Sequence, residues 1–227
     1  MSRLSDAFAG ARAGGRPGLV TYITAGDPSL ERTAGGLRAL DRAGATVIEG
    51  GVPFSDPLAD GPVIQRATER ALAAGTTLSG VLDLIASVRA EIRAGIVIFS
   101  YANPIMRLGP ERFADRAKAA GVDSELVLDL PLEEAGDFRR LLESRGIDTI
   151  LLLSPTTTDE RLRKAASVGS GFLYAISRLG VTGVRDQIAD GAEDMVRRIR
   201  AVSTLPVALG FGISKSVHVR EVGRWAD

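Results

Sequence analysis

The sequence predicts an α/β fold of the TIM (β/α)8-barrel type, one domain over residues 1–227, with the eighth βα unit missing. Three observations point there. Short apolar runs alternate with longer helical patterns, and the alternation never breaks. Several runs are apolar on both faces, as strands buried in a parallel sheet should be. Polar and turn-forming residues cluster just after the runs, where the loops of a parallel barrel converge on an active site.

The strand-like runs are 19–24, 46–49, 96–101, 126–130, 149–153, 171–176 and 206–210. Helical patterns fill the gaps at 29–42, 63–74, 78–93, 110–120, 133–144 and 192–202. In the third of these, Leu78, Val81, Leu82, Leu84, Ile85 and Val88 fall largely on one side of a helix. Strand, short turn and helix in repetition mean right-handed βα crossovers. An open doubly wound sheet and a closed barrel both satisfy that pattern. The first strand-to-helix turn reads Ala25-Gly26-Asp27-Pro28 and lacks the glycine spacing of a dinucleotide-binding sheet. Seven units in 227 residues fit a barrel without its last unit, since a full barrel needs about 250 residues. No linker or low-complexity stretch divides the chain.

Composition narrows the chemistry. Lysines plus arginines number 28 and the acids 28, so no net field draws the chain to nucleic acid. With no cysteine, disulfides, thiolate metal sites and a cysteine nucleophile are excluded, which suits a cytoplasmic protein. The single histidine, His218, leaves no residues for a histidine-rich metal site or a conventional Ser-His-Asp triad, so no metal is expected. Acid–base work falls to carboxylates, lysine or tyrosine. Residues 1–15 carry no continuous apolar stretch of the signal-peptide kind. No apolar run approaches the ~20 residues of a membrane span. Trp225 reads as a packing residue, His218 as part of the helix after the seventh run, and Arg197, Arg198 and Arg200 as a solvated helix face.

The richest cluster follows the second run, from Val47 through Glu49-Gly50-Gly51-Val52-Pro53-Phe54-Ser55-Asp56-Pro57-Leu58-Ala59-Asp60-Gly61-Pro62. Glu49 closes an apolar strand, and Asp60 lies eleven residues on, in a loop stiffened by three prolines. Alone, Glu49 reads equally well as a rim charge, and Asp56 and Asp60 as turn or cap residues. The whole string resembles the signature of the tryptophan synthase alpha family. So do Thr24 to Pro28, Tyr101-Ala102-Asn103-Pro104-Ile105, Asp129-Leu130-Pro131, Ser154-Pro155-Thr156-Thr157, Gly171 to Tyr174, Gly180-Val181-Thr182-Gly183 and Gly210-Phe211-Gly212-Ile213-Ser214, in family order over nearly the whole chain.

That resemblance implies a lyase that splits indole-3-glycerol phosphate into indole and glyceraldehyde 3-phosphate. Glu49 would be the general acid/base, and Asp60 the carboxylate on the indole N–H. It assigns phosphate contacts to Gly183 and Gly212, and pocket roles to Tyr22, Tyr101, Tyr174, Thr182 and Phe211. It implies a mobile lid over 177–191, which by itself reads as a surface loop. No cofactor is implied for this subunit, the pyridoxal phosphate of the complex belonging to the beta subunit. That subunit would be the partner in an alpha2–beta2 complex, facing Pro53 and Asp56. A truncated, non-catalytic activating subunit and a stand-alone indole-releasing lyase are the other readings.

Four departures stand out. Gly50 replaces the usual leucine beside Glu49 and is expected to loosen that strand end. Ser124-Glu125 replaces a glycine and an apolar residue, so Glu125 must reach the lower rim or stay buried at a cost. Ser216 follows Lys215 where Pro-Glu is usual, and the eighth strand, its phosphate turn and the last helix are not in the sequence.

Overall fold

A computed structural model describes residues 2–176, 191–210, 212–213 and 215–227. β1 (Val20–Thr24), β2 (Val47–Gly51), β3 (Gly95–Ser100), β4 (Ser124–Val127) and β5 (Asp148–Thr149) form one parallel sheet, and β6 (Leu151–Leu153), β7 (Leu173–Ile176) and β8 (Val207–Gly210) another. β5 and β6 are two halves of the run expected as a single strand, 149–153. Between them the Ile150 N–H donates to the Glu125 carbonyl at 3.0 Å. One half pairs with β4 and the other with β7, so the two sheets form one continuous wall. The fourth strand begins two residues earlier and ends three earlier than its apolar run suggested.

Period-two alternation sorts this wall into two faces. Val47, Val97, Phe99, Leu126, Tyr174 and Ala208 point inward and pack with Leu4 and Phe8 of α1 (Arg3–Ala13). This helix was not foreseen; Ser2 caps it, and its apolar residues enter the inner core beside Phe172. Ile48, Ile96 and Ile98 point outward against α2 (Leu30–Arg42), α4 (Leu78–Val88), α6 (Pro110–Ala120) and α7 (Gly136–Ser144). α4 stops earlier than its pattern, at Val88, and a 3-10 turn over Arg89–Glu91 finishes it. The remaining helices are α3 (Pro62–Ala73), α5 (Ala102–Leu108), α8 (Asp159–Val168), α9 (Ala192–Arg200) and α10 (Ser216–Val222). Among the described residues no single helix is long and apolar enough to cross a membrane.

β1 and β8 are the lateral strands, and their lower ends are tied together by Asp227. Its carbonyl accepts from Gly18 N–H at 2.7 Å, and its N–H donates to Val207 O at 3.0 Å. Its carboxylate accepts from Val207 N–H and pairs with Arg12 and Arg200. The basic trio on α9 is therefore not simply a solvated face. Arg198 holds the Thr157 carbonyl and Asp159, Arg200 holds Asp227, and only Arg197 stays within its own helix, on Asp194. His218 is buried in α10, and Trp225 packs against the cluster that contains Leu173 and Val207.

Candidate active site

β2 places Glu49 on the inner face, between Tyr22 of β1 and Val97 of β3 in register. Alternation forces this, because Val47, Glu49 and Gly51 share one face and Ile48 and Gly50 the other. Glu49 is 2 % exposed, and its Oε1 has no hydrogen-bond partner among the described residues. Burial alone pushes its carboxyl from 4.5 up to about 8, so near neutrality the proton stays on. A cavity of about 700 Å³ opens onto it, lined by Tyr22, Asp60, Phe99, Tyr174, Gly210 and Gly212 among others. The same cavity runs down between β1 and β8 to Val222 and Asp227.

Asp60 arrives from the loop after β2 and is also buried. Burial raises its carboxyl, while a hydrogen bond with Tyr101 works the other way and favours the charged form. The Tyr101 hydroxyl also accepts from Ala59 N–H at 3.2 Å, and the Tyr101 and Phe54 rings lie 5.2 Å apart. Gln65 donates to the Asp60 carbonyl at 2.8 Å. These contacts fix the loop from both ends. Pro53 is buried, whereas Asp56 is exposed and hydrogen-bonded to Ser55.

Two tyrosines flank Glu49. Burial raises both phenols, and the Glu49 carboxyl adds to the shift in each. Each ring lies over a glycine of the neighbouring strand: Tyr22 over Gly51, and Tyr174 over Gly210. Gly212, with φ +85°, lines the cavity on the β8 side. Thr182, Gly183, Phe211 and most of the lid segment lie outside the described residues.

Of the expected site residues, Glu49, Asp60, Tyr22, Tyr174 and Gly212 line this one cavity, and Tyr101 joins it through Asp60. Phe99 was not anticipated. It lines the cavity and meets Tyr22 edge-on, with ring centroids 5.3 Å apart. Alternation within the third run, with Val97 inward, was the signal for it. The same alternation puts Gly50 on the outer face, where an added Cβ would meet only the Val97 carbonyl at 3.8 Å. Glu125 remains buried and does not reach the rim, and neither carboxyl oxygen has a hydrogen-bond partner among the described residues.

The family model described as tryptophan synthase alpha chain matches residues 8–227. The tryptophan synthase alpha chain of Geotalea daltonii is 48% identical over all of this chain and 86% of its own. That of Synechococcus elongatus is 48% identical over 99% of this chain and 85% of its own. Among solved structures, Mycobacterium tuberculosis tryptophan synthase aligns with a TM-score of 0.93 at 35% identity, covering 100% of this chain and 86% of that one. A structure of the tryptophan synthase α2β2 complex of Pyrococcus furiosus, concerned with its mutual activation, aligns with a TM-score of 0.86 at 40% identity, covering 92% and 84%. The shared motifs, the barrel and the matches over nearly the whole chain agree: the chain belongs to the tryptophan synthase alpha chain family.

Proposed function

We propose that this chain is a carbon–carbon lyase of tryptophan biosynthesis that cleaves indole-3-glycerol phosphate into indole and glyceraldehyde 3-phosphate. The observation that carries the reading is a pair of carboxyl groups on one cavity in different environments. Glu49 holds its proton near neutrality, and Asp60 has a hydrogen-bond donor for its charge. The reaction needs that asymmetry.

Protonated Glu49 delivers its proton to indole C3, and the ring nitrogen takes up positive charge. The Asp60 carboxylate accepts the N–H and stabilises that charge. Glu49, now a carboxylate, removes the proton from the glycerol hydroxyl next to the breaking bond. The C–C bond electrons return to the indole ring, an aldehyde forms, and Glu49 is protonated again, so no net proton is consumed. Tyr22 and Tyr174 wall the reacting carbon. Gly212 with Gly183 would supply backbone amides to the phosphate, and Thr182 and Phe211 would complete the pocket. Only proton transfers are needed, so this subunit uses no cofactor of its own.

The beta subunit is the partner we assign, in a cytoplasmic α2β2 complex like that of the Pyrococcus furiosus relative. Exposed Asp56 on a proline-stiffened loop is the group we place in that interface with Pro53. Indole release by the purified chain, measured with and without added beta subunit, tests both parts. Release stimulated by the partner is expected; no release in either condition overturns the lyase reading. Asp56→Ala should reduce the stimulation while sparing the unstimulated rate, and unchanged stimulation removes Asp56 from the interface.

A further inference from the structure

We infer that Gly51 is a positioning residue for Glu49: its bare backbone lets the Tyr22 ring cross β2 and close over the acid/base. Tyr22 stands on β1 and Phe99 on β3, with β2 between them. Adjacent strands lie about 4.8 Å apart, so side chains two strands away do not normally touch. Yet the two rings meet edge-on at 5.3 Å. Gly51 is the residue of β2 in register with both Thr24 and Phe99, on the face that carries Glu49. The phenol fills the place of its missing side chain. A Cβ there would stand 2.5 Å from Tyr22 Cζ and 2.7 Å from Cε2, with the hydroxyl oxygen closer still.

Real Cβ atoms essentially never approach so closely, so the ring would have to move. It cannot move freely. Its hydroxyl is hydrogen-bonded to the Thr24 side chain, and its edge is set against Phe99. Tyr22 is also the direct cross-strand neighbour of Glu49. A ring driven off Gly51 therefore uncovers the carboxyl and lets water reach it. The titratable groups around that carboxyl are Tyr22, Tyr174 and Asp60, with Tyr101 behind Asp60.

The test rests on the lyase reading and uses the full chain with three variants: Gly51→Ala, Tyr22→Leu and both together. Gly51→Ala should lower kcat about 10²-fold, the cost of misplacing a reacting group by roughly an ångström, with KM changed far less. The alkaline limb of its pH–rate profile should move to lower pH. Tyr22→Leu removes the ring that a Cβ would strike, so the double variant should be no worse than Tyr22→Leu alone. A double variant that loses the product of the two single effects overturns the inference, as does an unmoved alkaline limb in Gly51→Ala. Should Gly51→Ala fail to fold, recovery of the fold in the double variant supports the inference, and failure of both overturns it. Should the unaltered chain release no indole, the lyase reading falls, but thermal melts of the same set still decide. Equal melting of the double variant and Tyr22→Leu supports the crossing, and additive losses refute it.

Discussion

Glu49 and Glu125 are both buried glutamates on inner strands, and in both burial drives the carboxyl well above its ordinary value. Among the described residues, each leaves carboxyl oxygen buried without a hydrogen-bond partner. They differ in the face they occupy. Glu49 points into the barrel, where a cavity reaches it and Asp60 shares the space. Glu125 is in register with Ile98, on the face covered by helices, and does not line that cavity. A displaced carboxyl therefore does not by itself mark a catalyst. Access and a second polar group do. Where these are missing, the same burial is only a cost, ~1–3 kcal/mol for a buried polar group without a partner.

The contrast breaks most sharply at Glu49. Glu49→Gln should lower kcat ~10²–10⁴-fold, the usual loss for a general acid/base, with the fold retained. Near-normal turnover, measured as steady-state indole formation, would take Glu49 out of the mechanism. Asp60→Asn should cost less, about 10²-fold, because the amide still accepts the indole N–H but supplies no charge. The pH–rate profile carries the same assignment. Activity should fall as pH rises through about 8, where Glu49 loses the proton it must donate. It should also fall at acid pH, as Asp60 takes up the proton that cancels its charge. A profile flat through the alkaline limb would contradict the role given to Glu49.

Much of this was legible in the sequence. The order of strands follows from the alternation of apolar runs with helical patterns, whereas the pairing of Glu49 with Asp60 came from the motif's resemblance to the family, since alone each read equally well as a rim or turn residue. What escaped was set by distant contacts. Nothing local in 149–153 tells that the ladder is interrupted at Ile150, with Asp148–Thr149 paired to β4 and Leu151–Leu153 to β7. Helix α1 was missed because its residues alternate weakly, and its place is fixed only by Leu4 and Phe8 entering the inner core. Gly51 read as an ordinary motif glycine, since the ring that fills its side-chain space comes from another strand.

Glu125 sharpens the comparison through stability. Unfolded, it ionises near the ordinary value of 4.5; folded, it keeps its proton far above that. Between the two values the unfolded chain has lost a proton that the folded chain retains. Its contribution to stability is thus complete below 4.5 and drains as pH rises toward the folded value. Glu49 adds the same trend between 4.5 and about 8. Glu125→Leu should therefore raise the melting temperature, by ~2–4 °C for each kcal/mol recovered in a chain of this size. The gain should be larger at pH 8 than at pH 5, with the pH–rate profile unmoved. A gain independent of pH would mean that packing, not charge, sets the cost.

The smallest effect is expected one residue from the catalyst. Gly50 adjoins Glu49 in sequence but faces the helix layer, in register with Ile23 and Ile98. Its backbone is not in the left-handed region, and an added Cβ would make only an ordinary contact, 3.8 Å from the Val97 carbonyl. Nothing in the folded state then requires glycine there. Glycine within a strand costs roughly 0.5–1 kcal/mol relative to alanine, because the unfolded chain has more freedom to lose. Gly50→Ala should gain that much in thermal or denaturant melts and leave kcat within about twofold. The expectation that this glycine loosens the aim of Glu49 requires the reverse, a rise in kcat once the strand stiffens. If kcat rises severalfold, the two faces of β2 are mechanically coupled, and the separation drawn between Glu49 inside and Glu125 outside is too sharp.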